Sequence, residues 1–151
     1  VVTAADQRWR RCDVKTTSLL GNVLHYQAGR AAQADETLLF NDADELTEAS
    51  TSNVFVVIGS RVYTAPLDHQ LLPGVTRQIL LNVLRRDDRF EVVERAVSRA
   101  ELLSADEVWL TSSSREVVAV THIDQQPVGG GAAGPGWLHA YALYSAGKYD
   151  Y

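Results

Sequence analysis

The most informative segment of this 151-residue sequence reads NVFVVIGSRVYT and spans residues 53–64. Its first half, Asn53–Ile58, is an almost unbroken apolar run, which is typical of a strand covered on both faces. Gly59-Ser60 has the Gly-X pattern of a two-residue hairpin turn, and Arg61–Thr64 follows as a second strand. The segment therefore predicts a β-hairpin whose first strand is buried.

Helices and further strands flank this hairpin. Apolar residues at helical spacing predict amphipathic helices over residues 16–34 and 75–86, the first with Thr17 or Ser18 as its N-cap. The remaining predicted elements are strands over 37–40, 45–47, 90–94, 107–111 and 116–123, a short helical turn over 99–103 and a last helix from about Trp137. The order predicts one mixed α/β (α+β) domain without internal repeats.

Composition excludes several classes of protein. Hydrophobic residues make up 46% of the sequence and charged residues 22%, which is typical of a soluble globular domain. The formal net charge of -5, without a basic stripe, disfavours nucleic acid and anionic membranes as partners. Apolar runs are far shorter than the roughly 20 residues that cross a bilayer. The single cysteine, Cys12, excludes an internal disulfide, and we expect a cytoplasmic location.

The sequence also has the features of a fragment. It contains no methionine and opens with Val1-Val2, so we expect it to be part of a longer translation product.

Two residues are candidates for acid–base or covalent chemistry. Lys15 is one of only two lysines, and partial burial just before the first helix would favour its neutral, nucleophilic amine. An ordinary surface lysine is the more frequent alternative. Glu48 precedes a run of small polar residues and then the buried strand, and a simple polar turn is its alternative interpretation.

Two further segments could bind an anion. Gly74-Val75-Thr76 begins a predicted helix, where free N–H groups and a hydroxyl can bind a phosphate by donating hydrogen bonds to it. Such helix starts also occur without ligands. The hydroxyl-rich run 111–114 is either a second phosphate contact or a plain loop. Arg77 contacts an acidic neighbour or faces solvent, and solvent is favoured. The four histidines lack metal-ligand spacing, so no metal site is predicted.

Four segments occur in an order that resembles a known family: RWRRCDVK (8–15), LTEASTSNVF (46–55), LLPGVTR (71–77) and TSSSREV (111–117). Taken together they resemble the class-IV pyridoxal-phosphate aminotransferases, most closely the D-amino-acid (D-alanine) transaminase branch. The similarity extends over nearly the whole chain. It implies the large C-terminal domain of the fold type IV architecture over residues 1–151, a mixed sheet or pseudo-barrel with flanking helices.

The resemblance also implies roles for individual residues. Lys15 would form a Schiff base with pyridoxal phosphate and shuttle the substrate proton, and Glu48 would pair with the pyridine nitrogen. The other implied cofactor contacts are Ser52, Leu72, Gly74, Val75, Thr76, Ser112 and Ser113. Family members usually have threonine at the position of Ser113, and serine keeps the hydroxyl.

An N-terminal domain of somewhat over a hundred residues precedes the position of Val1 in the family and is missing here. We therefore expect this fragment alone to be inactive, and the complete protein to be a homodimer that exchanges amino groups between a D-amino acid and a 2-oxo acid. Branched-chain L-amino-acid aminotransferase and aminodeoxychorismate lyase stay open as alternatives within the family. The non-enzymatic alternative is a truncated, catalytically inactive domain.

Overall fold

A computed structural model describes residues 1–150, which form four helices and three sheets. In chain order the elements are β1 (Val2–Ala5), α1 (Leu20–Ala31), β2 (Thr37–Phe40), β3 (Leu46–Ala49), β4 (Asn53–Ile58), β5 (Arg61–Thr64), α2 (Val75–Leu84), β6 (Glu91–Glu94), α3 (Arg99–Leu103), β7 (Glu107–Ser112), β8 (Glu116–Val120), β9 (His122–Ile123), β10 (Gln126–Pro127) and α4 (Pro135–Gly147).

The predicted hairpin forms the middle of a five-stranded sheet with the order β6-β5-β4-β7-β8. Strand β4 pairs antiparallel with both β5 and β7, while β5 and β6 run parallel. Phe55 and Val57 face one side of the sheet, and Val54 and Val56 face the other, and all four are buried. The apolar run is continuous because both faces of β4 are covered.

Two cores follow from this arrangement. One lies between the five-stranded sheet and a three-stranded sheet in which β2 pairs parallel with β1 and antiparallel with β3. The other lies between the opposite face and helices α2 and α4, with Trp109 and Leu80 fully buried. The mixed α/β class is confirmed.

Several predicted boundaries differ from the structure. The first helix begins at Leu20, and its N-cap is Leu19 without a side-chain cap, so the prediction of Thr17 or Ser18 was wrong. The Thr16 hydroxyl instead accepts the Ser18 N–H at 3.1 Å, a local turn that delays the helix. Strand β8 ends at Val120 rather than residue 123, and α4 begins two residues before Trp137.

A capping box at α3 leads to a prediction about stability and pH. The hydrogen bond from Arg95, with further bonds from Ser98, lowers the pKa of Glu101 to about 2. A lowered pKa contributes stability above the ordinary value of 4.5, and this contribution is lost as the pH falls towards 2. Glu101→Gln should therefore lower the thermal midpoint of the complete protein at pH 7, and the difference from wild type should shrink between pH 4.5 and 2.

The control is Glu91→Gln, which removes an exposed ion pair with Arg61 that solvent screens. Equal losses at pH 7 in both variants would contradict the prediction for Glu101.

No helix within residues 1–150 has the length and apolar character needed to cross a bilayer.

Candidate functional site

A cavity of about 580 Å³ opens where β3 and β7 end and β4 begins, beside the start of α2 and the loop before α1. All nine residues singled out from the sequence line it: Lys15, Glu48, Ser52, Leu72, Gly74, Val75, Thr76, Ser112 and Ser113. They come from four separate segments of the chain. The fold thus brings an amine, a carboxylate, a helix N-terminus and several hydroxyls to one cavity.

Glu48 lies on the buried strand β3, and hydrogen-bond donors surround its carboxylate. Arg8 donates from Nη1 to Oε1. The amide of Asn53 and the backbone N–H of Leu72 both donate to Oε2, at 3.0 and 3.1 Å. These contacts give the carboxyl group one orientation at the cavity wall.

Arg8 is itself held by Asp6. The Arg8 Nε and Nη2 atoms donate to the two Asp6 carboxylate oxygens at 2.9 and 2.7 Å. Nη2 also donates to the carbonyl oxygen of Gln70 at 2.9 Å. The Arg8 side chain is only 2% exposed, so this guanidinium is a fixed, buried charge between two carboxylates.

Burial dominates the ionisation of Glu48. It raises the pKa of Glu48 to about 7, although the charge and hydrogen bond of Arg8 act in the opposite direction. For Asp6, burial acts in the same sense, but the hydrogen bonds and charge of Arg8 outweigh it and lower the pKa. Asp6 is therefore the more readily ionised of the two carboxyl groups, and the ionised form of Glu48 depends on its contact with Arg8.

Lys15 lies on another part of the lining, in the loop between Cys12 and α1. The sequence interpretation invoked partial burial, and this was wrong, because Lys15 is exposed where it lines the cavity. The late start of α1 leaves residues 13–19 as an open loop, so this segment lacks the packing that a helix would bring.

The start of α2 forms a further part of the wall. Gly74 is the N-cap, and Val75 and Thr76 form the first turn, whose N–H groups have no partners within a helix. Thr76 is buried, whereas Val75 is 65% exposed. Such a helix start favours an anion, since the N–H groups and the helix dipole point towards it.

Two buried hydroxyls also lie in the lining. Within residues 1–150, Ser52 Oγ and Thr111 Oγ1 are buried and lack a hydrogen-bond partner. An unpartnered buried hydroxyl is costly, so a polar ligand in the cavity would compensate both. Ser113 is exposed and Ser112 half-buried on the following loop.

Arg77 corrects another expectation, since it does not face solvent. It is 1% exposed and donates to Glu94 at 2.7 Å and to the carbonyl of Ala65 at 2.8 Å. These bonds fix α2 against β5 and β6. No cluster of three metal-ligating side chains occurs in the described part of the chain.

Arg8, Asp6 and Asn53 belong to the site although the sequence interpretation gave them no role. Arg8 and Asn53 are inside the two motifs that carry Lys15 and Glu48. A pairing between residues 40 positions apart leaves no local pattern, so only the structure reveals that Arg8 contacts Glu48.

A family model and several curated proteins match this chain over most of its length. The family model for class IV amino-transferases matches residues 1–123. The D-alanine aminotransferase of Bacillus licheniformis is 43% identical over 134 residues, covering 89% of this chain and 47% of that protein. The D-alanine aminotransferase of Listeria monocytogenes serotype 1/2a (strain 10403S) is 35% identical over 142 residues, covering 93% of this chain and 48% of that protein.

Among solved structures, the T.th. branched-chain amino acid aminotransferase complexed with N-(5'-phosphopyridoxyl)-L-glutamate superposes with a TM-score of 0.87. It is 29% identical, and the match covers 95% of this chain and 49% of that one. The chain thus spans about half the length of the curated relatives that it matches.

Proposed function

Because the chain belongs to the class IV aminotransferases, we propose that it forms the cofactor-binding part of a pyridoxal-phosphate-dependent transaminase acting on D-amino acids and 2-oxo acids. The observation that carries the proposal is the shared cavity of Lys15, Glu48 and the α2 N-terminus. An amine, an acid and an anion-binding helix start are the three groups that this cofactor requires.

The residues present fit the cofactor. Its phosphate matches the first-turn N–H groups at Val75 and Thr76, together with Ser113, and its ring matches the apolar side chain of Leu72. Ser52 supplies one of the buried hydroxyls that need a partner. Glu48 would face the ring nitrogen, and Lys15 would hold the aldehyde carbon covalently.

When bound, pyridoxal phosphate supplies an electron sink for the electron pair that remains after a substrate loses its Cα proton. Glu48, when ionised, would support this chemistry as a negative charge held in one orientation, which favours a protonated ring nitrogen. Lys15 would be the base that removes the Cα proton and the acid that delivers it to the C4′ atom of the cofactor, which would move the proton from the substrate to the cofactor. The exposure of Lys15 in a loop is consistent with an amine that must change position.

The relatives favour D-amino acids. D-alanine aminotransferases reach 43% identity, whereas the branched-chain enzyme is 29% identical. Branched-chain L-amino acids are the second candidate, since that enzyme superposes over 95% of this chain. Aminodeoxychorismate lyase chemistry and an inactive domain stay open as further candidates.

The curated relatives are about twice as long as the part of them that this chain matches. We therefore propose that residues 1–151 are the C-terminal cofactor-binding domain and that an N-terminal domain completes the substrate pocket. The homodimer and the cytoplasmic location stay predictions.

The deciding experiment is borohydride reduction of the cofactor-loaded complete protein, followed by peptide mapping. A phosphopyridoxyl adduct on Lys15 is the expected result. An unlabelled Lys15 in cofactor-saturated protein would reject the enzyme proposal and favour an inactive domain.

Substrate choice is tested by absorbance changes of the loaded protein. D-alanine should convert the cofactor to its pyridoxamine form, while L-leucine should not. A clear response to L-leucine without a response to D-amino acids would move the protein to the branched-chain group. Release of pyruvate from aminodeoxychorismate would identify the lyase.

Gly74 provides a prediction about cofactor affinity. A Cβ at this position would lie 2.2 Å from Oδ1 of Asn53, whose amide is fixed by bonds to Glu48 and to the Leu72 carbonyl. Gly74→Ala should therefore displace Asn53 and weaken cofactor binding by about tenfold, equivalent to roughly 1.4 kcal/mol. Fluorescence titration of the cofactor-free complete protein measures this change.

The matched control is Gly130→Ala, because a Cβ there meets no atom of the described residues within 4 Å. Equal cofactor affinities of the two variants would contradict the prediction.

A further inference from the structure

Asp6, Arg8 and Glu48 form a buried row of charges at the wall of the cavity. The guanidinium lies between the two carboxylates, and the exposed fractions of the side chains are 2% for Arg8, 12% for Asp6 and 7% for Glu48. The sequence analysis assigned no function to Asp6 or Arg8. Arg8 is buried, so solvent cannot screen its charge. It contacts Glu48, the proposed partner of the ring nitrogen.

We infer that Arg8 is a positioning residue, anchored by Asp6, which favours the charged form of the Glu48 carboxylate and orients it towards a cationic ligand atom. The inference rests on the proposed function only for the identity of that atom, the ring nitrogen. The charge and orientation of Glu48 are properties of this chain alone.

The two carboxylates use Arg8 differently. Asp6 receives two parallel bonds, from Nε and Nη2, which is the fork geometry that fixes a guanidinium plane. Glu48 receives the remaining Nη1 bond on one oxygen and neutral donors on the other. Asp6 therefore sets the position of Arg8, and Arg8 in turn acts on Glu48.

The charges of Asp6, Arg8 and Glu48 together explain why a cationic ligand atom is preferred beside Glu48. One guanidinium lies between two carboxylates, so the ionised row carries one net negative charge in a place that is shielded from water. Removing charges from water is costly unless they are paired. A protonated nitrogen at Glu48 would complete the balance, whereas a neutral ligand atom would leave it incomplete.

The ionisation of the neighbouring groups is consistent with this arrangement. Burial raises the pKa of Glu48, and Arg8 opposes that rise, while Asp6 adds to it. Two other titratable side chains are coupled to this row, and burial favours the neutral form of both: it raises the pKa of the Cys12 thiol and lowers the pKa of His25. Arg8 is thus the one neighbouring charged group, among the described residues coupled to Glu48, that favours its ionised form.

The test is a pH titration of the Glu48 carboxyl carbon by ¹³C NMR in the cofactor-free complete protein, with Glu48→Gln to assign the signal. Arg8→Gln should raise the pKa of Glu48 by about 1–3 units, because the stabilising cation is lost. Asp6→Asn should lower it by about one unit, because asparagine keeps an oxygen that accepts from Arg8 while the negative charge that raises the pKa of Glu48 is removed.

The opposite directions of the two pKa shifts of Glu48 distinguish an electrostatic role of Arg8 from a purely structural one. Arg8→Gln removes the positive charge, whereas Asp6→Asn keeps one acceptor oxygen for Arg8 and removes only a negative charge. Shifts of the same sign in both variants, or no shift in either, would therefore overturn the inference. If Arg8→Gln does not fold, Arg8→Lys replaces it, with an upward shift of smaller size expected, since lysine keeps the charge without the fork.

The titration is independent of the proposed function. Failure of that function would appear as an unlabelled Lys15 in the wild-type protein, with the opposite shifts of Glu48 unchanged. Failure of the inference would appear as a labelled Lys15 without those shifts.

Discussion

Lys15→Ala is expected to abolish covalent attachment of the cofactor and to reduce turnover of the complete protein by about 10²–10⁴-fold or more, the range for losing a general acid–base group. Lys15 contributes twice to the proposed reaction, as the covalent attachment point and as the proton carrier. The absorbance band of the attached cofactor and the single-turnover rate with D-alanine measure both roles.

The chain offers a matched control in its other lysine. Lys148 lies after α4, outside the cavity lining, and pairs with Glu116 at 2.6 Å. Lys148→Ala should retain the attached cofactor and near wild-type turnover. If Lys15→Ala kept its turnover, or if labelling moved to Lys148, the role assigned to Lys15 would be wrong.

Glu48→Gln is expected to give the second largest effect, a slower removal of the Cα proton by about 10²–10³-fold, the range for losing one preorganised electrostatic contact. Glutamine keeps the size of the side chain but not the charge that favours a protonated ring nitrogen. Cofactor binding should persist, since the α2 start and Lys15 are unchanged. Single-turnover rates with D-alanine deuterated at Cα isolate this step.

Glu45→Gln is the control for this variant, because Glu45 immediately precedes the same strand and lies outside the cavity lining. Equal rates for wild type and Glu48→Gln, with an unchanged isotope effect, would remove Glu48 from the mechanism.

Local patterns predicted the elements that local sequence determines. The bounds of β4, β5 and α3 agree with the structure, because an apolar run and a Gly-X turn act over a few residues, and the structure adds a local capping box at Ser98 and Glu101. Strand β1 was not predicted. Its residues VTAA carry little strand signal, and parallel pairing with β2 about 35 positions later creates the strand.

Some features of the site were likewise predicted from local motifs, and others depend on the tertiary fold. Motifs predicted Lys15, Glu48 and the start of α2 as members of one site, and the structure places them around one cavity. The exposure of Lys15 and the burial of Arg77 were predicted wrongly, since both depend on which elements pack nearby. The contact between Arg8 and Glu48 needs the tertiary fold, because it joins two motifs that are separate in sequence.

The two reactive side chains differ in freedom of movement. Glu48 is on a buried strand and is fixed by three donors, while Lys15 is in the loop that precedes α1. During a catalytic cycle Glu48 would therefore keep its position, and the Lys15 side chain would move. Substitutions in residues 16–19 should then alter the turnover rate while leaving the absorbance of the bound cofactor unchanged.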